Sequence, residues 1–432
     1  MAEEQPAGEQ EKRESAAPKD IGAEIELFIN QIDALAETLP LATLAIQGVR
    51  TASRQELTKF LNEECEVIST DGAKKSYRFG GGQALKFARL IRRVEKAQQA
   101  QLLVPRGLFV ALVSQFDAFV GGLIRQLFKL KPELVNSSGR NLTFSQLAEF
   151  GSIEAAREFV IDKEIESVLR DSHADQFDWL EGKFNLPLRK DLPAWPSFIE
   201  ATERRNLFVH TNGVVSRQYL EVCRKHACQL PENICLGQSL RLTREYLNAA
   251  YECFLEIGVK LGQVLLRKIQ PDEIKKADMN LVSVTYNLIA EERYQLARIL
   301  LDFATETLKV HASEEYRLTL VVNRAQTYKW TGDEEKCKDV LIREDWTATN
   351  LKFRLAYAVL RDDFEQATGI VKQIGKDDPE VDRHAYREWP LLKGLRKSPE
   401  FNRLFEQIFG EPLYRVIVQD TQAGGSDPER VN

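Results

Sequence analysis

The chain has 432 residues, 43% hydrophobic and 29% charged, enough apolar material for two or three cores rather than one. Its 59 Lys and Arg against 65 Asp and Glu leave a net charge of -6, which excludes the basic excess of a dedicated duplex-DNA binder and makes any nucleic-acid contact local. Six cysteines without regular spacing resemble the reduced thiols of a cytoplasmic protein rather than a secreted disulfide framework.

Residues 1–20 are rich in Glu, Gln, Lys and Ala, lack an apolar centre, and read as a disordered acidic tail rather than a signal peptide. From residue 21, apolar side chains recur at helical spacing (Ile25, Phe28, Ile29, Ile32, Leu35) until Pro40 punctuates the run, which predicts one or two helices in an N-terminal extension over 21–103. Asp71-Gly72 and Gly80-Gly81-Gly82 fit either a small hairpin or a loop, and the loop is the expectation, ahead of a helix over 83–99. That helix has a basic face of Lys86, Arg89, Arg92, Arg93 and Lys96 with Phe87 interleaved. A solvated face explains it, and so do RNA-backbone contacts led by Arg89, Arg92 and Arg93.

Pro105 stands at the head of an apolar helix over 107–130, and Pro132 closes it. Gln115, Asp117 and Arg125 interrupt this window, so it reads as a core helix with no membrane span expected. Further helices are predicted over 144–151, 153–170, 197–211 and 239–269, and Gln270-Pro271-Asp272 marks a boundary. Period-2 alternation is nearly absent, so the fold class is all-α.

Over 270–418, three turns superpose: Tyr294 with Ala297, Glu334 with Cys337, and Phe364 with Ala367, each a residue followed three later by a small one. Their offsets of 40 and 30 residues straddle the roughly 34-residue period of tetratricopeptide repeats, which they resemble. Such TPR-like repeats imply a concave face for a protein or peptide ligand, and a plain helical bundle is the alternative. Residues 419–432 read as a disordered tail.

One helix carries the chemistry. Ser197 and Glu200 form a candidate capping box at its start, and Thr211-Asn212-Gly213 supplies its stop. On a wheel, Arg205 falls inside the apolar stripe of Phe198, Ala201, Phe208 and Val209, with Asn206 and His210 one turn apart along its edge. A guanidinium facing a core requires an anion, either a carboxylate such as Asp117 or a ligand phosphate. His210 sits in the last turn, where the helix dipole favours the imidazolium. An Arg, an amide and a titrating His together suit phosphodiester cleavage.

The run Arg205-Asn206-Leu207-Phe208-Val209-His210 resembles the Arg-polar-x-x-x-His signature of HEPN-superfamily ribonucleases in its RNxxxH subtype. Glu203 precedes it, and Thr211-Asn212-Gly213-Val214-Val215 and Tyr219 follow as in that subtype. The helix with Phe116-Asp117 is similar to the family's first core helix, where an acidic residue follows an aromatic. The resemblance covers 104–269 and implies a HEPN-like helical bundle that forms a homodimer, with two Arg/His pairs facing one cleft. It implies a metal-independent endoribonuclease, without cofactor, that leaves a cyclic phosphate, in the setting of a prokaryotic toxin or anti-phage defence effector. Arg205 then stabilises the scissile phosphate, His210 transfers protons, Asn206 orients one of them, Asp117 positions Arg205, and Glu203 supports the group. The alternative is a non-catalytic dimerisation and peptide-binding adaptor, because many members bind without cutting.

Cys223, His226, Cys228 and Cys235 match no usual zinc spacing, and no metal is expected. Gly80-Gly81-Gly82 lacks the Lys and Ser/Thr of a phosphate-binding loop. His173, His311 and His384 have no evident partners and read as surface or structural.

Overall fold

Asp20 starts the first helix: its carboxylate accepts a hydrogen bond from the Ala23 amide at 2.9 Å, so helix begins at the last residue of the expected tail. The computed structural model describes residues 20–72, 74–136 and 141–414, so the tail expectations for 1–19 and 419–432 fall outside the described residues. Apart from one two-stranded hairpin, the described fold is all-α. The chain divides at Gln270–Pro271 into two units, one residue from the predicted edge.

In the first unit, α1 (Ile21–Glu64) runs unbroken through Pro40, and α2 (Gly81–Leu130) runs unbroken through Pro105. Each proline removes one helical hydrogen bond. Both helices survive because they are gripped on either side of it, α1 by Ile21 to Ile32 in the core and by Ser53 and Phe60 further out. The expected domain edge at 103/104 therefore lies inside α2 and separates nothing.

Outside the core, the covered positions of the two helices repeat every seven residues: Ile46, Arg50, Ser53, Leu57 and Phe60 on α1, and Phe87, Leu90, Val94, Ala97 and Gln101 on α2. This is the pattern of a two-helix antiparallel coiled coil. Arg50 donates to Gln101 at 2.7 Å within the seam, Arg93 pairs with Glu56 at 2.6 Å along its edge, and Phe60 stacks near Phe87. At its tip, β1 (Glu66–Asp71) pairs antiparallel with β2 (Lys74–Arg78), with Gly72 at φ 55°. The loop expectation is thus corrected to a hairpin. Gln83 donates to the Glu64 carbonyl at 2.6 Å, so the helix ends are held close enough for the connection to pair with itself.

The core forms where the first turns of α1 meet the last half of α2 and α9 (Arg244–Ile269). Phe28 stacks on Phe119 at 4.4 Å, and Phe116 meets Phe198 and Phe254 edge-on at 4.9 and 5.4 Å. Between α2 and α9 the chain forms α3 (Glu133–Asn136), α4 (Phe144–Phe150), α5 (Ile153–Arg170), α6 (His173–Phe184), α7 (Trp195–His210) and α8 (Arg217–Lys225). α1 and α2 each hold an 18-residue window that passes for a membrane span by length and composition alone, 6% and 44% of it buried respectively.

In the second unit, α10 (Ile274–Ala290) with α11 (Tyr294–Asp302), α12 (Glu314–Trp330) with α13 (Glu334–Leu341), and α14 (Leu351–Leu360) with α15 (Phe364–Ile374) form three helical hairpins. All three use one turn: Glu292, Gly332 and Asp362 are left-handed, and the next amide returns to Leu288, Tyr328 or Ala358 at 2.8, 2.9 and 3.0 Å. Ala297, Cys337 and Ala367 are buried, which lets the paired helices close. Most of the difference between the offsets arises because α12 has 17 residues and α14 has 10. His311 donates to the buried Asp278 at 2.9 Å, so it has a partner after all, whereas His384 is exposed. α16 (Arg383–Glu388) and α17 (Pro399–Phe409) complete this core through Tyr386, Phe401 and Phe405.

Gly258 on α9 tests the close approach of α1. A Cβ there would stand 2.2 Å from the Phe28 ring. Gly258→Ala is expected to lower unfolding free energy by about 1–3 kcal/mol in urea titrations; unchanged stability would contradict this packing.

Candidate functional site

α7 begins at Trp195 with Ala194 at its cap and Pro196 in its first turn, so the expected Ser197/Glu200 capping box does not form. Proline preset for the helix starts it earlier. Glu200 turns inward instead and accepts from the Tyr219 and Tyr246 hydroxyls at 2.5 and 2.6 Å and from Arg204 Nε at 2.8 Å. The Arg204 guanidinium lies 3.9 Å from the Tyr246 ring centroid. Arg204 is therefore the arginine consumed by the interior.

Arg205, one residue on, faces α2. Its Nη2 donates to Asp117 Oδ2 at 2.7 Å, and the two side chains are 20% and 26% exposed. The anion demanded by the wheel is thus the carboxylate of Asp117. Arg205 Nε is buried without a partner among the described residues, and an unsatisfied donor of this kind costs about 1–3 kcal/mol. The second Asp117 oxygen accepts from His173 Nε2 at 2.8 Å. The His173 ring is 7% exposed and packs edge-on against Phe198 at 5.6 Å. His173, expected to lack a partner, belongs to this site.

Glu203 is buried on α7, and Asn206 Nδ2 donates to its Oε1 at 3.4 Å. Burial pushes the Glu203 carboxyl above the ordinary carboxylate range, against the opposing pull of His173, Asn206 and Arg205. The contact of the Asn206 amide nitrogen is with Glu203. His210 and Val209 are exposed in the last turn, so the apolar stripe ends before Val209. His210 lies five positions after Arg205, which sets the two about 140° apart around one helix.

The turn after His210 is fixed by Asn212 and Gly213 at φ 53° and 83°, with the Gly213 amide donating to Leu207 O at 2.8 Å. A Cβ on Gly213 would come within 2.8 Å of Phe208. Arg106, unmarked in the sequence reading, donates to Asn212 Oδ1 at 2.7 Å and lies over the Phe208 ring at 4.9 Å. It precedes Asp117 by three helical turns on one face of α2, a spacing that was available as a signal. Leu207, Val215, Tyr219, Cys223 and Leu240 pack behind the turn. Arg89 and Arg92 are exposed far along α2, and Arg93 is engaged by Glu56.

No family model matches the chain, and neither a curated protein nor a solved structure is significantly similar to it.

A carboxyl that the fold holds above its ordinary pKa favours folding while protonated, and that contribution disappears as pH rises through its folded value. Glu203→Gln is therefore expected to raise Tm at pH 7.5, with the gap closing as pH falls towards 4.5. A lower Tm for the variant at pH 7.5 would mean that the ionised carboxylate is needed.

Proposed function

We propose that the first unit is a metal-independent endoribonuclease of HEPN type, acting as a homodimer in which Arg205 and His210 of two copies line one cleft. The observation that carries this reading is a partly exposed guanidinium, held by Asp117 and still short of one hydrogen-bond partner, on the same short helix as an exposed histidine.

In this reading Arg205 engages the scissile phosphate and offsets the negative charge that builds on it. The ribose 2′ oxygen bonds to phosphorus as the bond to the 5′ oxygen breaks. The 2′ hydroxyl gives up its proton, the 5′ oxygen gains one, and His210 mediates these transfers. A cyclic phosphate results, and no metal or cofactor enters. Asp117 holds Arg205, and Glu203 and Asn206 support α7 beside it. Exposed Arg89 and Arg92, the latter about 21 Å from Arg106 along α2, supply salt-sensitive backbone contacts. The setting as a toxin or anti-phage effector follows from the resemblance alone, as does a protein or peptide ligand on the hairpins of the second unit.

A charge-free belt favours a second copy as the partner. Residues 38–49 of α1 and 97–105 of α2 contain no charged side chain, and the Arg50–Gln101 contact in the antiparallel pair sets 46–49 opposite 102–105. Leu41, Leu44, Val49, Leu102 and Leu103 are exposed there, as is Val209 next to His210. Apolar surface of this kind marks a binding face, and a two-fold interface needs only one self-complementary patch.

Purified protein is expected to cut a structured RNA in the presence of EDTA. His210→Ala and Arg205→Ala should each lower the rate at least about 100-fold, His210→Ala without lowering Tm and Arg205→Ala with a lower Tm because Asp117 loses a partner, and Leu103→Glu should yield an inactive monomer by light scattering. Equal cutting by wild type and site variants identifies a contaminant, and absence of cutting leaves the adaptor reading.

A further inference from the structure

The HEPN resemblance gives no role to His173, yet its ring nitrogen is one of two donors on the carboxylate that holds Arg205. An aspartate is poorly fixed by a single contact, because its carboxylate turns about a broad, two-fold torsion. With Arg205 Nη2 alone on Oδ2, the Asp117 carboxylate could swing and carry the guanidinium with it. His173 Nε2 on Oδ1 at 2.8 Å removes that freedom. The imidazole is itself immobilised: it stands at the start of α6, capped by Ser172, and lies between Phe116 and Phe198 at 6.3 and 5.6 Å. Three helices thus meet in one chain of contacts, from α6 through Asp117 on α2 to Arg205 on α7. Glu203 is buried on the same helix as Arg205, and its carboxyl feels both His173 and Arg205.

We infer that His173 is a positioning residue that locks the Asp117 carboxylate plane and so sets the guanidinium of Arg205 for an incoming phosphate. Its catalytic consequence rests on the ribonuclease reading, whereas the locking itself does not. Preorganised groups of this sort act on kcat, because a misplaced guanidinium still meets RNA but meets the transition state poorly.

The test uses the full chain and two variants. His173→Phe keeps a ring between Phe116 and Phe198 and removes the donor. His173→Gln places an amide nitrogen the same number of bonds from Cα as Nε2 and restores it. The first readout is NMR of the Arg205 guanidinium, where a fixed group gives separate Nη signals and a free one gives averaged signals. Separate signals are expected in wild type and His173→Gln, and averaged signals in His173→Phe. The second readout is RNA cleavage, with kcat expected to fall about 10-fold or more in His173→Phe at little changed KM, and to recover in His173→Gln. Separate Nη signals in His173→Phe overturn the inference whether or not the protein cuts RNA. Averaged signals in His173→Phe with wild-type kcat overturn its catalytic part. A wild type that cuts nothing defeats the ribonuclease reading, while the NMR comparison still decides the role of His173.

Discussion

Asp117 is the residue on which the candidate site depends. It sits on the helix that fills the core, and its two oxygens are divided between Arg205 of α7 at 2.7 Å and His173 of α6 at 2.8 Å. A half-buried carboxylate and a half-buried guanidinium each need the other, since either left alone at such a site carries a desolvation cost without compensation. The pair stays open enough for a ligand to reach because neither side chain is fully covered.

Neighbouring arginines show how the same side chain is put to two uses. Arg204 is held by Glu200 and the Tyr246 ring and belongs to the interior. Arg205 keeps one donor, its Nε, without a partner among the described residues. Helical geometry separates them by about 100°, so one turns towards α9 and α8 residues and the other towards α2. At the end of the helix, Arg106 and the Asn212-Gly213 turn hold the last turn in place, which gives His210 a fixed base on an otherwise exposed edge.

Much of this was legible in the residues. Helical periodicity defined the all-α class, Ile153–Arg170 matched its predicted span, and the stop at Asn212-Gly213 followed from two residues that tolerate positive φ. The wheel required an anion at Arg205, and Asp117 was its named candidate. What escaped has identifiable causes. Pro40 and Pro105 read as breaks because local hydrogen bonding argues for a break, and tertiary grip on both sides outweighed it. The heptads of α1 and α2 were obscured by polar seam residues: Arg50 and Gln101, which make sense only as a cross-helix pair, and Ser53, which donates to the Val49 carbonyl of its own helix. Glu200 was given to a cap because its hydroxyl partners, Tyr219 and Tyr246, lie 19 and 46 residues away. His173 had no local signature at all, since its only meaning comes from a carboxylate 56 residues earlier.

On the proposed ribonuclease reading, Asp117 acts on RNA only by way of Arg205. A double-mutant cycle of cleavage rates for Asp117→Asn, Arg205→Ala and the combined variant addresses that directly. The double variant is expected to be no slower than Arg205→Ala alone. Losses that multiply, so that removing Asp117 still slows a protein already lacking Arg205, would contradict it.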